Sequence, residues 1–155
     1  MKEIQLTKGK VALVNDADYE RLNKMKWYFH YMKNNNTAYA ARWIAGSIVL
    51  MHRFILNPAK DQVVDHIDGN GLNNQRENIR ICTKSDNQGN RAKNKNNTSG
   101  YKGVHFYKRI NKFRAQIKLY GKDIYLGYYN SPIEAARAYD AKARELFGEF
   151  ANTNF

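Results

Sequence analysis

Asp65-His66 sets a hard carboxylate oxygen beside an imidazole that titrates near neutrality, two groups from which metal-assisted hydrolysis can be built. Asn78 follows twelve residues after His66, and Asn87 nine further on. Hydrolysing a phosphodiester requires a water made nucleophilic, a positive centre to offset charge on the phosphate, and a means of stabilising the leaving 3′ oxygen. One divalent metal and one general base satisfy those needs. Adjacency alone is weak support, because neighbouring residues of a regular strand point to opposite faces. Asp68-Gly69 and Asn70-Gly71 are strong turn formers and read as such. The ordered set Asp65, His66, Asn78 and Asn87 carries the chemical reading.

These residues need elements to hold them. Val63-Val64 leads into the polar cluster, Ile79 to Cys82 reads as a second strand, and Thr83-Lys84-Ser85-Asp86 fits a helix N-cap with an acid at the third position. The order is strand, turn-rich loop, strand, helix, and Asn87 falls on that helix. Upstream, Ile4 and Leu6, Val11 to Val14, Trp27 to Met32 and Thr37 to Ile44 suggest short strands, with turns at Lys8-Gly9-Lys10 and Asn34-Asn35-Asn36. Asp16 or Asp18 caps a short helix through Leu22. His52 reads as a buttress of the site, and His30, among Trp27, Tyr28, Phe29 and Tyr31, as structural. Residues 92–99 are polar and basic with no large apolar side chain, and read as a linker.

Beyond that linker, Phe113, Ala115, Ile117 and Leu119 alternate with Lys112, Arg114, Gln116 and Lys118, the pattern of a half-buried strand with a basic face. A strand from Tyr101 to Lys108 sends Val104 and Phe106 inward and His105 and Tyr107 outward. A third, Lys122 to Tyr128, buries Ile124, Leu126 and Tyr128 and exposes Tyr125. Ser131-Pro132-Ile133-Glu134 starts a helix. Its Ala135, Ala136, Ala138, Ala141 and Ala143 let it lie close on the sheet, and Gly148 ends it. The expected fold class is α+β: a small β-rich segment over 1–50, a ββα-metal motif over 51–91, the linker, and over 100–155 a three-stranded antiparallel sheet packed on one helix.

The formal charge of +12 makes a polyanion the natural partner, since basic residues near phosphates gain affinity by releasing counterions. The charge is uneven: residues 1–90 hold 13 basic and 9 acidic groups and residues 91–155 hold 13 and 5, or +4 against +8. No apolar run spans a bilayer and no leader or amphipathic anchor is evident, so a cytoplasmic protein of a bacterial or phage-infected cell is expected, with no obligate protein partner. The single cysteine, Cys82, excludes an intramolecular disulfide or multi-cysteine zinc cage and reads as a buried apolar residue.

The stretches Asp65-His66-Ile67-Asp68-Gly69-Asn70, Leu72-Asn73-Asn74, Glu77-Asn78-Ile79-Arg80 and Asn87-Gln88-Gly89-Asn90-Arg91 resemble the HNH homing-endonuclease motif across roughly residues 50 to 91. The resemblance implies His66 as general base, Asp65 and Asn87 as ligands of one magnesium or manganese ion, and Asn78 as the residue that braces the loop and orients His66. Asn87 stands where the family name has its last histidine, an HNN variant that suits a hard ion better than zinc. Arg76, Arg80 and Arg91 are candidates to grip phosphates beside the cut.

Gly100-Tyr101-Lys102-Gly103-Val104, Phe113-Arg114-Ala115-Gln116-Ile117, Tyr125-Leu126-Gly127, Ala135-Ala136-Arg137-Ala138-Tyr139-Asp140 and Asn154-Phe155 resemble the plant ethylene-response-factor, or AP-two, domain over nearly all of 99–155. That family lays its sheet in the DNA major groove. The resemblance implies contacts from Lys102, His105, Tyr107, Arg114, Gln116, Lys118 and Tyr125. Together the two resemblances imply a nuclease acting on double-stranded DNA. The competing class is a non-catalytic DNA-binding regulator that keeps the motif as a scaffold.

Overall fold

The computed structural model describes residues 1–33, 37–94 and 96–155; the expected turn at Asn34-Asn35-Asn36 lies outside them, as does Lys95 of the expected linker. The chain is mixed α and β, with small antiparallel sheets and short helices, and divides into two compact units, Met1–Thr83 and Lys84–Phe155.

In the first unit β1 (Lys2–Gln5) and β2 (Val11–Val14) form a hairpin with Ile4 opposite Ala12. Alternation buries Ile4, Ala12 and Val14. Asn15 is the N-cap position of α1 (Asp16–Asn23), so the two aspartates proposed as its cap are the first and third residues of the helix. The Asn15 side chain instead accepts from the Arg76 amide (2.6 Å) and donates to Glu77 (3.0 Å). Asp18 is buried and takes Arg76 at 2.7 Å and Arg21 at 2.9 Å. Arg76, a candidate phosphate grip, is thereby engaged in holding α1 to the loop before the second catalytic-motif strand.

A three-stranded sheet follows, β3 (Tyr28–Met32), β4 (Thr37–Ile44) and β5 (Ser47–Leu50), with β4 central. The short α2 (Met51–Leu56) ends at Asn57, whose left-handed backbone (φ 45°) turns the chain away. The last pair is β6 (Val63–His66) with β7 (Ile79–Cys82), in a register that sets Asp65 opposite Arg80 and His66 opposite Ile79. Leu22, Met51, Val14, Trp27, Val64 and Ile79 are shared in one apolar core. Cys82 is buried, as expected.

In the second unit α3 (Lys84–Asn90) precedes β8 (Val104–Tyr107), β9 (Lys112–Leu119) and β10 (Lys122–Tyr129), ordered β10-β9-β8, and α4 (Pro132–Phe147) covers one face. Ser131 caps α4 by accepting from the Ile133 amide at 3.2 Å. Ala135, Ala136, Tyr139, Ala143 and Phe147 are buried with Val104, Ala115 and Ile117, whereas Ala141 faces solvent. Two glycines record how close the packing is. A Cβ on Gly103 would lie 2.0 Å from the Tyr139 ring, and one on Gly89 would lie 2.6 Å from the Phe147 ring. Buried Asp140 ties down the C-terminal residues by accepting from the amides of Asn154 (2.8 Å) and Phe155 (2.9 Å). Within 92–99, Asn97 donates to Tyr101 O at 2.7 Å and the Ser99 hydroxyl to Val104 O at 2.8 Å, so both are built into the turn before β8.

Candidate active site

His66 ends β6, and the loop after it is held by its own polar side chains. Asp68 Oδ1 accepts from the Asn70 amide (2.7 Å) and Asp68 Oδ2 from the Asn73 side chain (2.8 Å), while Gly69 supplies the positive φ (73°). Asn78, just before β7, closes the loop. Its amide nitrogen donates to Asp68 Oδ1 (2.9 Å) and Asn73 O (2.8 Å), its Oδ1 accepts from the Asp68 amide (3.1 Å), and its carbonyl accepts from the Ile67 amide (2.8 Å). Burial alone would raise the Asp68 carboxyl, but hydrogen bonds from Asn73, the Asn70 amide and Asn78 outweigh it and hold the group below its ordinary value. Asp68 is thus the hub of the loop, a role that its Asp-Gly step concealed.

The His66 ring is buried in an aromatic box. His52 of α2 meets it edge to face at 4.8 Å between centroids, and Tyr39 of β4 lies 5.9 Å from His66 and 5.4 Å from His52. Burial lowers the His66 imidazole below its ordinary value, against a contrary pull from Asn74, Asp68 and Asp65. His52 is pushed down to about 3, by burial first and then by His66 and Arg53, and its buried Nδ1 has no hydrogen-bond partner. Both shifts favour the neutral ring, the state a general base requires.

Asp65 is buried on β6, where the Arg80 guanidinium reaches its Oδ2 with Nε at 3.2 Å and Nη2 at 3.1 Å. Arg80, expected among the phosphate contacts, is a cross-strand partner of Asp65. Arg91 is exposed. Asn87 is half-buried on α3, in the second unit. A carboxylate such as that of Asp65 is a donor of the type that suits magnesium or manganese, which keep much of their water and take few protein ligands. Among the described residues no three His, Cys, Asp or Glu side chains gather as a zinc-type cage would require.

The uncovered face of the second unit's sheet carries His105 opposite Arg114, Gln116 opposite Tyr125 and Tyr107 opposite Lys112. The Arg114 guanidinium lies over the Tyr125 ring at 5.6 Å, and its Nε is buried without a hydrogen-bond partner. Lys118 pairs with Asp123 at 3.6 Å. Tyr128, expected to be buried, is on this outer face, because a bulge between Tyr125 and Gly127 shifts the alternation by one residue and sets Tyr128 opposite Arg114. It packs on Tyr125 (5.4 Å) and Tyr107 (5.6 Å). Phe106, also expected inside, is 42% exposed and packs on Phe113 with the rings tilted, 5.1 Å between centroids. Lys102 is apart from this set. Its Nζ donates to Gly89 O (2.8 Å) and Asn152 O (3.0 Å) over the Tyr139 ring of α4, and burial lowers it to about 8.

The profile of the HNH endonuclease family matches residues 58–88, the span of β6, its loop, β7 and the start of α3. An uncharacterised HNH endonuclease of Acanthamoeba polyphaga mimivirus is 33% identical over 153 residues, covering 95% of this chain and 76% of the relative. The chain belongs to the HNH endonuclease family. As an HNH nuclease it is an enzyme, and the Asp65-His66 loop is the part that the family profile covers. Protein 3.8 of Escherichia phage T7 is 35% identical to the nuclease over 92 residues, 59% of this chain and 75% of the relative. A rice APETALA2-like protein 2 is 41% identical over 58 residues, 37% of this chain and 13% of the plant protein. No solved structure matches the chain. Among the described residues no helix is long and apolar enough to cross a membrane.

Proposed function

We propose that this HNH nuclease hydrolyses phosphodiester bonds of double-stranded DNA with one magnesium or manganese ion, and that residues 100–155 dock it on preferred sequences. The observation that carries the reading is a buried His66 at the end of β6, next to Asp65 and in front of a loop pinned by Asn78. His66 takes a proton from the attacking water as the oxygen bonds to phosphorus. The bond from phosphorus to the 3′ oxygen breaks, and that oxygen leaves protonated by solvent. The ion, when bound, offsets charge on the phosphate and on the leaving oxygen. Asp65 and Asn87 are its proposed ligands, and Asn78 keeps His66 aimed by fixing the loop.

The outer face of the C-terminal sheet is the proposed DNA contact, with His105, Tyr107, Arg114, Gln116, Lys118 and Tyr125, joined by Tyr128. Arg91 is a proposed phosphate contact in solvent. Lys102 and Arg80 are assigned instead to holding α3 and Asp65. The +8 charge of residues 91–155 and the likeness to a plant APETALA2-like protein support DNA as the ligand of this unit. With one catalytic motif per chain a monomer nicks one strand, in the manner of a mobile homing endonuclease, and the viral relatives fit action in the cytoplasm of an infected cell. The test is incubation of mixed long duplex DNA with the full chain and magnesium, manganese or chelator. Metal-dependent nicks at recurrent sites are expected. Tight duplex binding with no cleavage in any metal would favour the non-catalytic regulator.

A further inference from the structure

We propose that Asn74 is a positioning residue that selects which nitrogen of His66 is basic, and that the N-terminal hairpin is built to hold it there. The proposal rests on the reading of His66 as general base and names a residue outside the Asp65, His66, Asn78, Asn87 set. Asn74 is 1% exposed, and its Oδ1 lies 3.4 Å from His66 Nε2. The orientation of its amide is determined by its other end, because Nδ2 donates to Leu72 O at 3.1 Å. Turning the amide over would bring Oδ1 against that carbonyl, two acceptors face to face. An acceptor therefore faces Nε2. A neutral imidazole carries one ring proton, so facing an acceptor places it on Nε2 and leaves the basic lone pair on Nδ1. Nδ1 is then the atom that takes the proton of the attacking water.

The backbone of Asn74 is fixed from the far end of the sequence. Its amide donates to Leu13 O at 2.8 Å, the Leu13 amide donates to Leu72 O at 2.9 Å, and Leu13 bridges Asn73 as a parallel pair. Leu13 lies on β2 between the buried Ala12 and Val14. The hairpin is anchored in the core on one side and grips the 72–74 segment on the other. Asn15 and Asp18 continue the same seam through Arg76. This gives the N-terminal hairpin, with Asn15 and Asp18 after it, a part in positioning the loop that follows His66.

The experiment is two-bond proton–nitrogen correlation spectroscopy of the histidine rings in the full chain, with the His66 signals identified by their loss in His66→Ala. Wild type and the variants Asn74→Leu and Asn74→Asp are compared, with single-turnover and steady-state cleavage run on the same samples. The expected result is a His66 ring protonated at Nε2 in wild type and in Asn74→Asp, which keeps the acceptor. In Asn74→Leu that preference is lost and kcat falls about 10- to 100-fold with KM unchanged. A wild-type ring protonated at Nδ1 overturns the proposal, as does an Asn74→Leu ring that keeps the Nε2 proton and full kcat. Should Asn74→Leu fail to fold, the wild-type and Asn74→Asp spectra decide. Should no sample cleave DNA, the nuclease chemistry fails and the spectra still decide the role of Asn74.

Discussion

Acidification from pH 7 to pH 5 should destabilise the first unit more than its carboxylates can explain, and His52 should account for about 2 kcal/mol of the excess. His52 titrates near 3 when folded against an ordinary value of 6.5, because its ring is buried beside His66. A group whose folded value is depressed binds its proton in the unfolded chain first, so folding loses stability as the pH drops below 6.5. At pH 5 the unfolded chain gains about 2 kcal/mol from protonating one such histidine. That figure is insensitive to the folded value provided it stays well below 5. His66 is lowered in the same direction and adds to the loss, whereas Asp18 and Asp68, also lowered, act only as the pH falls toward their own range. The perturbation that isolates the effect is His52→Phe, which keeps a ring against His66 and Tyr39 and removes the titration. Both tryptophans, buried Trp27 and exposed Trp43, lie in the first unit, so urea unfolding followed by their fluorescence reports it separately. Between pH 7 and 5 wild type should lose about 2 kcal/mol more than His52→Phe. Equal losses in the two proteins would refute the buried, neutral His52 and with it the box that keeps His66 unprotonated.

Three further outcomes follow from the same contacts. Asn78→Ala removes three side-chain hydrogen bonds from the 68–73 loop and should cost roughly 3 kcal/mol in urea unfolding while cutting kcat far more than KM. Arg114→Ala should weaken duplex binding in chelator by about tenfold or more and lower the salt dependence of the affinity by about one counterion, read by fluorescence anisotropy at several salt concentrations. Phe147→Ala should destabilise the second unit by about 3–5 kcal/mol and speed amide exchange over 87–90, because Gly89 of α3 packs directly on that ring.

What the sequence disclosed was what is encoded locally. Asp65-His66 and Asn78 are separated by a loop whose turns are written in its own Asp-Gly and Asn-Gly steps, and the strands on either side carry their apolar residues in place. The face of β9 was legible because Phe113 to Leu119 alternates without a break. Tyr128 was misplaced because one extra residue at the Gly127 bulge reverses every assignment after it, and the glycine, with φ 129°, was the available signal. Lys102 reads like any basic residue at the start of the strand expected from Tyr101, although β8 begins only at Val104. Its burial depends on carbonyls at Gly89 and Asn152, thirteen residues before it and fifty after, which no local pattern anticipates. Asn74 was hidden for the same reason, since its amide partner is Leu13, and so was Arg80, whose commitment to Asp65 follows from register across the β6–β7 pair.

The most direct test of the account is cleavage by His66→Ala under conditions where it still binds duplex DNA as wild type does. Supercoiled and relaxed forms of a plasmid that wild type cuts with magnesium or manganese would be separated on a gel. The account predicts metal-dependent conversion to open circles by wild type, none by His66→Ala, and equal binding in chelator. Cleavage by His66→Ala at the wild-type rate would contradict it, placing the base elsewhere in the chain.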